Sequence, residues 1–192
     1  MKKGLLITLG VIIVIIVIIG GSLMGAYNGL VGERENVTAK LKNIDTDLQR
    51  RADLIPNLVS TVKGFAEQEK TIMANITDAR AKLSGATTPA TKAAANDELS
   101  GALSRLLVVV EAYPNLKSDA NFRQLMDELA GTENRIKVSR VDYNNAVQLY
   151  DTHIKTFPTS ILAGMFGFEQ AEYFEASESS KEVPNVDFTS SK

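Results

Sequence analysis

Residues 37–65, VTAKLKNIDTDLQRRADLIPNLVSTVKGF, carry apolar side chains alternately three and four positions apart. This spacing places those side chains along one face of an α-helix, as in a coiled-coil heptad. The series continues beyond residue 65 as far as Leu83, and Arg51 and Glu69 are its charged interruptions. We therefore predict one long amphipathic helix that needs partner helices to cover its apolar face.

Two further series of the same kind follow, over residues 99–113 and 122–157. No stretch shows the strict apolar–polar alternation of a half-buried strand, so we expect almost no β-structure. Three such helices could cover one another's apolar faces by folding back antiparallel. The predicted fold is all-α: an N-terminal transmembrane helix, then an antiparallel bundle of three long helices, plus a short C-terminal helix.

The helix boundaries are marked by residues that stop and start helices. Gly85 can take the left-handed conformation that ends the first helix, and Thr88-Pro89 supplies an N-cap and first turn for the second. Tyr113-Pro114 ends the second helix. Ser118 or Asp119 caps the third helix, and Phe157-Pro158 closes it.

Pro56 lies inside the first apolar series and has no backbone N–H, which frees the carbonyl of Ala52. Two structures are compatible with this: a kinked helix, or a new helix that starts at Asp53 with Pro56 in its first turn. The apolar register passes through Pro56 unchanged, which favours the kink.

The segment 5–24 is the second feature that decides the architecture, because it contains no charged residue and only two hydroxyl groups. Twenty helical residues span about 30 Å, the thickness of the hydrocarbon core. A cleaved signal peptide is the alternative, but the apolar run is longer than the apolar core of a signal peptide, which is usually about 7–15 residues. Tyr27 follows where an interfacial aromatic residue is expected.

Lys2 and Lys3 abut this segment, whereas Arg34 is the first positive charge beyond it. The positive-inside rule therefore predicts that the N-terminus of this single-pass membrane protein is cytoplasmic and that the bundle lies outside. We divide the chain into a cytoplasmic start (1–3), a transmembrane helix (4–26), a helical bundle (27–175) and a disordered polar tail (176–192).

The residue inventory argues against catalysis. The chain has no cysteine and one histidine, and its net charge is −2. His153 lacks the Glu-x-x-His spacing of a di-iron site, and neither a phosphate-binding glycine loop nor a nucleophile elbow is present. No basic stripe indicates nucleic acid. We expect no enzyme activity, no metal, no cofactor and no small-molecule substrate.

Arg51 and Glu69 are charged residues on an apolar face, so each must extend its charge to the surface, meet a partner on another helix or face a subunit interface. Glu111, Glu133 and Arg140 on the other predicted helices are the candidate partners. We interpret such pairs as interhelical ion pairs that set the register of the bundle, with a functional surface as the alternative.

Four aromatic residues near the C-terminus form a second candidate surface. They are Phe166, Phe168, Tyr173 and Phe174. Either their rings pack onto the end of the bundle, or they form an exposed docking patch or a contact with the membrane surface.

Several motifs together resemble the LemA family. They are Tyr27-Asn28, the run LQRRADLIPNLV at 48–59, VKGFA at 62–66 with Glu69, Ala79-Arg80, EAYPNLK at 111–117, Thr132-Glu133-Asn134, Tyr143-Asn144, Phe157-Pro158 and Gly167-Phe168. The match runs in order over about residues 27–174. This chain departs from the family at Gln68, where the family often has His, and near Lys42 and Asn43, where the family often has an aromatic ring.

The resemblance implies a bacterial protein with one N-terminal membrane anchor, an antiparallel helical bundle and no known enzymatic activity. The motif residues gather around Pro56 and define a candidate structural lock or interaction site. Its residues are Arg50, Arg51, Asp53, Pro56, Asn57, Glu69, Glu133 and Arg140.

The expected function is that of a membrane-anchored, non-enzymatic helical interaction protein of the bacterial envelope. Its partners would be the lipid bilayer and either other envelope proteins or further copies of itself. The alternative is a homo-oligomeric structural scaffold or shell on the membrane.

Overall fold

The computed structural model describes residues 2–66 and 68–175, with side chains from residue 8 onward. Within these residues there are helices and no strand. The helices are α1 (Lys2–Phe65), α2 (Lys70–Gly85), α3 (Pro89–Val110), α4 (Pro114–Ser118), α5 (Ala120–Lys155) and α6 (Thr159–Phe166). The predicted all-α class with a short C-terminal helix is confirmed. The tail predicted at 176–192 lies outside the described residues.

Helix α1 runs without a break from the apolar segment into the first bundle helix. It passes through Pro56 as one helix, which excludes a new start at Asp53; the kink stays a prediction. The apolar part is long enough to cross a membrane, with a mean hydropathy of 2.7 over 18 residues and none of that window buried. Within the described residues, α1 is the helix that fits a membrane anchor.

The described chain forms two compact units, and α1 and α5 each contribute to both. The first unit contains residues up to 40 and 144–171. There, Leu30 of α1 and Val147 and Tyr150 of α5 are buried, as is Leu162 of α6. Gly167 ends α6 in the left-handed conformation, with φ 69°, which glycine adopts at little cost.

The Tyr150 phenol in this unit is 1% exposed and donates a hydrogen bond to the carbonyl of Glu169 at 2.9 Å. Burial raises the pKa of Tyr150 above its ordinary value. A group whose pKa is higher in the folded than in the unfolded state stabilises the fold at pH values below its unfolded pKa, which is about 10 for tyrosine. This stabilisation is lost as the pH rises through the folded pKa.

We therefore expect the melting temperature to fall as the pH rises above about 10, and Tyr150→Phe to flatten this dependence. Thermal unfolding followed by circular dichroism across the alkaline range checks the expectation. Identical slopes for the wild-type chain and the variant would contradict it.

The second unit contains residues 41–143 and the described residues from 172 onward. Its contacts give the helix directions. Arg80 of α2 reaches Ala52 of α1, so α2 folds back along α1. Asp45 and Arg51 of α1 meet Lys92 and Asn96 of α3, in the same chain order, so these two helices are parallel. Helix α5 runs opposite to α1, because Arg51 meets Glu133 whereas Asp47 meets Ser139. The unit is an up-down-up-down bundle of four helices.

The apolar series predicted from the sequence form the core of the two units. Their buried members are Val37, Ile44, Leu48, Ile55, Leu58, Val62, Ile76, Ala79, Leu83, Leu99, Leu103, Leu106, Val110, Phe122, Leu129, Ile136, Tyr143, Val147, Tyr150 and Ile154. The spacing therefore identified the inward faces of the helices correctly.

The predicted first bundle helix is divided in the structure, since α1 ends at Phe65 and α2 begins at Lys70. Phe65 is consequently 42% exposed, and Glu69 lies at the start of α2 instead of inside a helix. The connection is about one helical turn long, so the apolar series keeps its phase across it. Folding back lets the two halves of the series cover each other, which one straight helix cannot do.

Candidate functional site

The candidate site is a buried polar cluster where three helices of the second unit meet. Arg51 of α1 is 3% exposed, although it carries a charge. Its Nη1 atom donates to Oε2 of Glu133 on α5 at 2.6 Å and also to Oδ1 of Asn96 on α3. Asn96 is 1% exposed. One guanidinium nitrogen thus joins α1, α3 and α5.

The electrostatics of Arg51 reflect its burial. Removal from water lowers the pKa of its guanidinium, while the negative charges of Glu133 and Asp97 oppose that change. An arginine keeps its proton at neutral pH even so. The bundle therefore encloses a permanent cation, and Glu133 is the carboxylate that neutralises it at hydrogen-bonding distance.

The cluster is incompletely satisfied. Among the described residues, neither Arg51 Nε nor Asn96 Nδ2 has a hydrogen-bond partner, and both atoms are buried. A buried donor without an acceptor costs about 1–3 kcal/mol. The effect of such a cluster on helix register explains its presence better than its effect on stability does. Helices packed in another register would leave the Arg51 cation buried without the Glu133 carboxylate.

Further polar contacts surround the cluster and connect the same helices. Arg140 of α5 lies 3.8 Å from the carboxylate of Asp97, and its guanidinium lies 4.9 Å from the centre of the Phe174 ring. Lys92 pairs with Asp45 at 2.6 Å, and Ser139 donates to Asp47 at 2.8 Å. Three helices are thus held in one axial register at several levels.

Pro56 creates a second polar feature of the bundle. The carbonyl of Ala52 has lost its intrahelical donor, and Arg80 of α2 donates its Nε–H to it at 2.8 Å. Ala52 is 2% exposed, so water does not replace that donor. Sequence reasoning found the free carbonyl but did not assign it to Arg80. The available signal was that an orphaned acceptor inside a bundle requires a donor from a neighbouring helix.

Arg80→Met should therefore destabilise the bundle by about 1–3 kcal/mol, because it leaves the Ala52 carbonyl buried without a donor. In a Pro56→Ala background the restored N–H of residue 56 can bond to that carbonyl, so Arg80→Met should lower the free energy of unfolding by less. A double-mutant cycle by urea unfolding measures the difference.

The matched control for that cycle is Lys82→Met on the same helix. Lys82 pairs with Glu98 on the surface, where ion pairs contribute about 0–1 kcal/mol. An equal cost of Arg80→Met in both backgrounds would show that Arg80 does not act through Pro56.

The structure separates the eight residues of the predicted lock. Arg51 and Glu133 are joined directly, and Arg140 lies beside them through Asp97. Arg50, Asp53, Pro56 and Asn57 have exposed side chains on the outer face of α1 and are not part of the buried cluster. Sequence reasoning missed Asn96, because it precedes the second apolar series, which begins at Leu99.

Glu69 belongs to a different contact. Its Oε1 accepts a hydrogen bond from the Tyr113 hydroxyl at 2.9 Å, and Gln68 donates to the same hydroxyl at 3.0 Å. The Glu69 carboxylate raises the pKa of Tyr113 because the bond favours the protonated phenol. The motif residues Glu69 and Tyr113 thus connect the α1–α2 turn to the segment before α4.

The four aromatic residues divide between the two units. In the first, Phe166 and Phe168 meet the Tyr27 ring edge-on, with ring centres 4.9 and 5.7 Å away. Phe168 is buried there, whereas Phe166 is 57% exposed. In the second, Phe174 is buried and Tyr173 is partly exposed. They do not form one continuous patch within either unit.

These features define a class of protein: an all-α bundle with a buried interhelical ion pair and one helix that fits a membrane anchor. The sequence pattern of the LemA family matches residues 40–188. The chain belongs to the LemA family, as the resemblance in its motifs predicted.

Individual relatives are 25–31% identical to this chain over the aligned residues. Magnetosome proteins MamQ 1 and MamQ 2 of Paramagnetospirillum magneticum are each 31% identical to it, over 80% of this chain and 66% of the relative. Protein LemA of Metamycoplasma hominis is 25% identical, over 81% of this chain and 71% of the relative. The chain thus spans slightly less than two thirds of the length of the MamQ relatives.

Proposed function

We propose that this chain is a membrane-anchored, non-enzymatic helical protein of the bacterial envelope that presents its bundle as an interaction module. The observation that carries the proposal is the composition of α1. Its first part is apolar and unburied, whereas its later part supplies core residues of the bundle. One helix therefore serves as anchor and as structural element.

The chemistry of the buried cluster supports a structural role for its charged residues. Arg51, Asn96 and Glu133 are bonded to one another across helices. Catalytic side chains, in contrast, need access to a cleft that admits a substrate. The names of the MamQ relatives refer to the magnetosome and not to a reaction. This supports a non-enzymatic role for the present chain.

Exposed apolar residues on the bundle favour self-assembly as the second candidate function. Val108 of α3 is 74% exposed, and Val138 and Val141 of α5 are 63% and 59% exposed. Val138 and Val141 are three positions apart and share one helix face. Copies of the chain that joined through such faces would form a homo-oligomeric scaffold on the membrane.

The mass of the full chain in nanodiscs or mild detergent, measured by light scattering, separates the two candidates. A monomer or dimer supports the interaction module, and in-cell cross-linking would then search for its partner. A large discrete oligomer supports the scaffold. Quantitative recovery of the intact chain in the soluble fraction without detergent would contradict both.

The orientation is part of the proposal: the bundle faces away from the cytoplasm. Protease added to intact spheroplasts should remove the bundle, whereas a cytoplasmic marker protein stays whole. If the bundle is fully protected until the cells are lysed, the bundle faces the cytoplasm, and the proposal of a membrane anchor is unaffected.

A further inference from the structure

Helix α6 has an unusual surface for a helix outside a membrane. Its sequence, TSILAGMF, contains no charged residue. Leu162 and Ala163 are buried, yet the exposed side chains of the helix are also apolar, with Ile161 57% and Met165 72% exposed. A helix in water normally turns polar residues outward, and one that is apolar on all sides is buried or surrounded by lipid.

The residues beside α6 belong to the apolar segment of α1. A groove of about 500 Å³ lies between the two helices, within the first unit. On the α1 side it is lined by Gly20, Leu23, Met24 and Tyr27. Every lining side chain is apolar apart from the Tyr27 hydroxyl.

This contact fixes the depth of α6 relative to the anchor. Gly20, Leu23 and Met24 form the last turn and a half of the segment 5–24, which matches the roughly 30 Å hydrocarbon core. Tyr27 follows about 5 Å further along the helix axis. A helix packed against residues 20–27 therefore lies at the boundary between acyl chains and headgroups.

The backbone of α6 is suited to that boundary, where unpaired polar groups are costly. The amide of Ser160 donates to Thr156 and the amide of Ile161 to Pro158. At the other end, the amide of Phe168 donates to Ala163. The hydroxyl of Thr159 donates to the carbonyls of His153 and Thr156.

We propose that α6 is an interfacial helix whose exposed face enters the bilayer leaflet beside the anchor. Phe157, Ile161, Met165 and Phe166 contact acyl chains there, at 57–76% exposure in the protein alone. The occupant is lipid because this face continues the apolar surface of residues 20–24 and offers no charge for a protein partner. The inference rests on the membrane anchor of the proposed function. It adds a second lipid contact, from the C-terminal part of the chain.

The absence of native cysteine allows single labels to test this in the full chain. In a Met165→Cys variant, the introduced thiol is labelled with an environment-sensitive fluorophore. The labelled chain is placed in phosphatidylcholine nanodiscs that contain some lipid with a nitroxide high on its acyl chain. Val17→Cys, within the apolar segment, is the lipid reference. Glu35→Cys, about 16 Å beyond Met24 along α1, is the water reference. Quenching by lipid nitroxide is compared with quenching by aqueous iodide.

We expect the label at position 165 to lose most of its fluorescence to the lipid nitroxide and little to iodide, as at position 17. Strong iodide quenching at 165 with normal lipid quenching at 17 would overturn the inference and leave the anchor intact. A third outcome is that the label at position 165 is shielded from both quenchers but becomes accessible to iodide when each disc holds one copy. This result would overturn the inference in favour of a contact between copies. Loss of lipid quenching at position 17 would refute the anchor first.

Discussion

Arg51→Leu is expected to destabilise the bundle by about 3 kcal/mol, which lowers the melting temperature by on the order of 10 °C. The change removes the cation that Glu133 and Asn96 both contact. Breaking a buried ion pair typically costs about 3–5 kcal/mol because the remaining charge is left unpaired. The lower end applies here, since the Glu133 side chain is 24% exposed and gains some hydration. Thermal and urea unfolding of the full chain in detergent measure the effect.

Two variants make this test specific. Arg50→Leu alters the neighbouring arginine, whose side chain is exposed, and should change stability by no more than about 0.5 kcal/mol. Adding Glu133→Leu to Arg51→Leu should recover part of the loss, because no unpaired carboxylate remains. If Arg51→Leu is as stable as Arg50→Leu, the buried cluster does not hold the bundle together, and a binding role for Arg51 becomes the better explanation.

The second large effect concerns the apolar segment. Replacing Ile13 and Ile16 together by Asp should release the chain from the membrane. An acidic residue at the centre of a membrane helix costs about 2.5–3.5 kcal/mol on insertion scales, so two cost roughly 5–7 kcal/mol. Both side chains are more than half exposed, so the protein itself offers them no buried contacts to replace the lost lipid contacts. Flotation of membranes after alkaline extraction measures the fraction that stays bound.

The matched control is Val138→Asp with Val141→Asp on α5. This pair has the same three-residue spacing and similar exposure, but it lies outside the apolar segment. The control should float with the membranes as the wild-type chain does. Equal flotation of both double variants would show that segment 5–24 is not what attaches the protein.

Together, these two experiments separate anchoring from bundle stability. The Arg51 variants change the second unit and leave the apolar segment intact, whereas the Ile13 and Ile16 variant does the reverse. If only one of these variants loses its function in cells, the property that this variant lacks is the one that the function requires.

The amino-acid sequence alone determined the helical class, the inward faces of the long helices and the extent of the apolar segment. These properties are local, because they follow from the spacing of side chains along one helix and from hydropathy over one stretch. Thr88 caps α3, and Asp119 accepts from the amide of Phe122 at the start of α5, where the sequence placed them. Capping also depends only on neighbouring residues.

Only the tertiary structure decided where the first apolar series folds back, since a turn of about one helical period leaves the heptad pattern unchanged between Phe65 and Lys70. It alone identified Asn96 as the second acceptor for Arg51, and Arg80 as the donor to Ala52. These partners lie 45 and 28 positions away along the chain. Spacing along one helix carries no information about which residue of another helix it will meet, because that depends on the order and direction in which the helices pack.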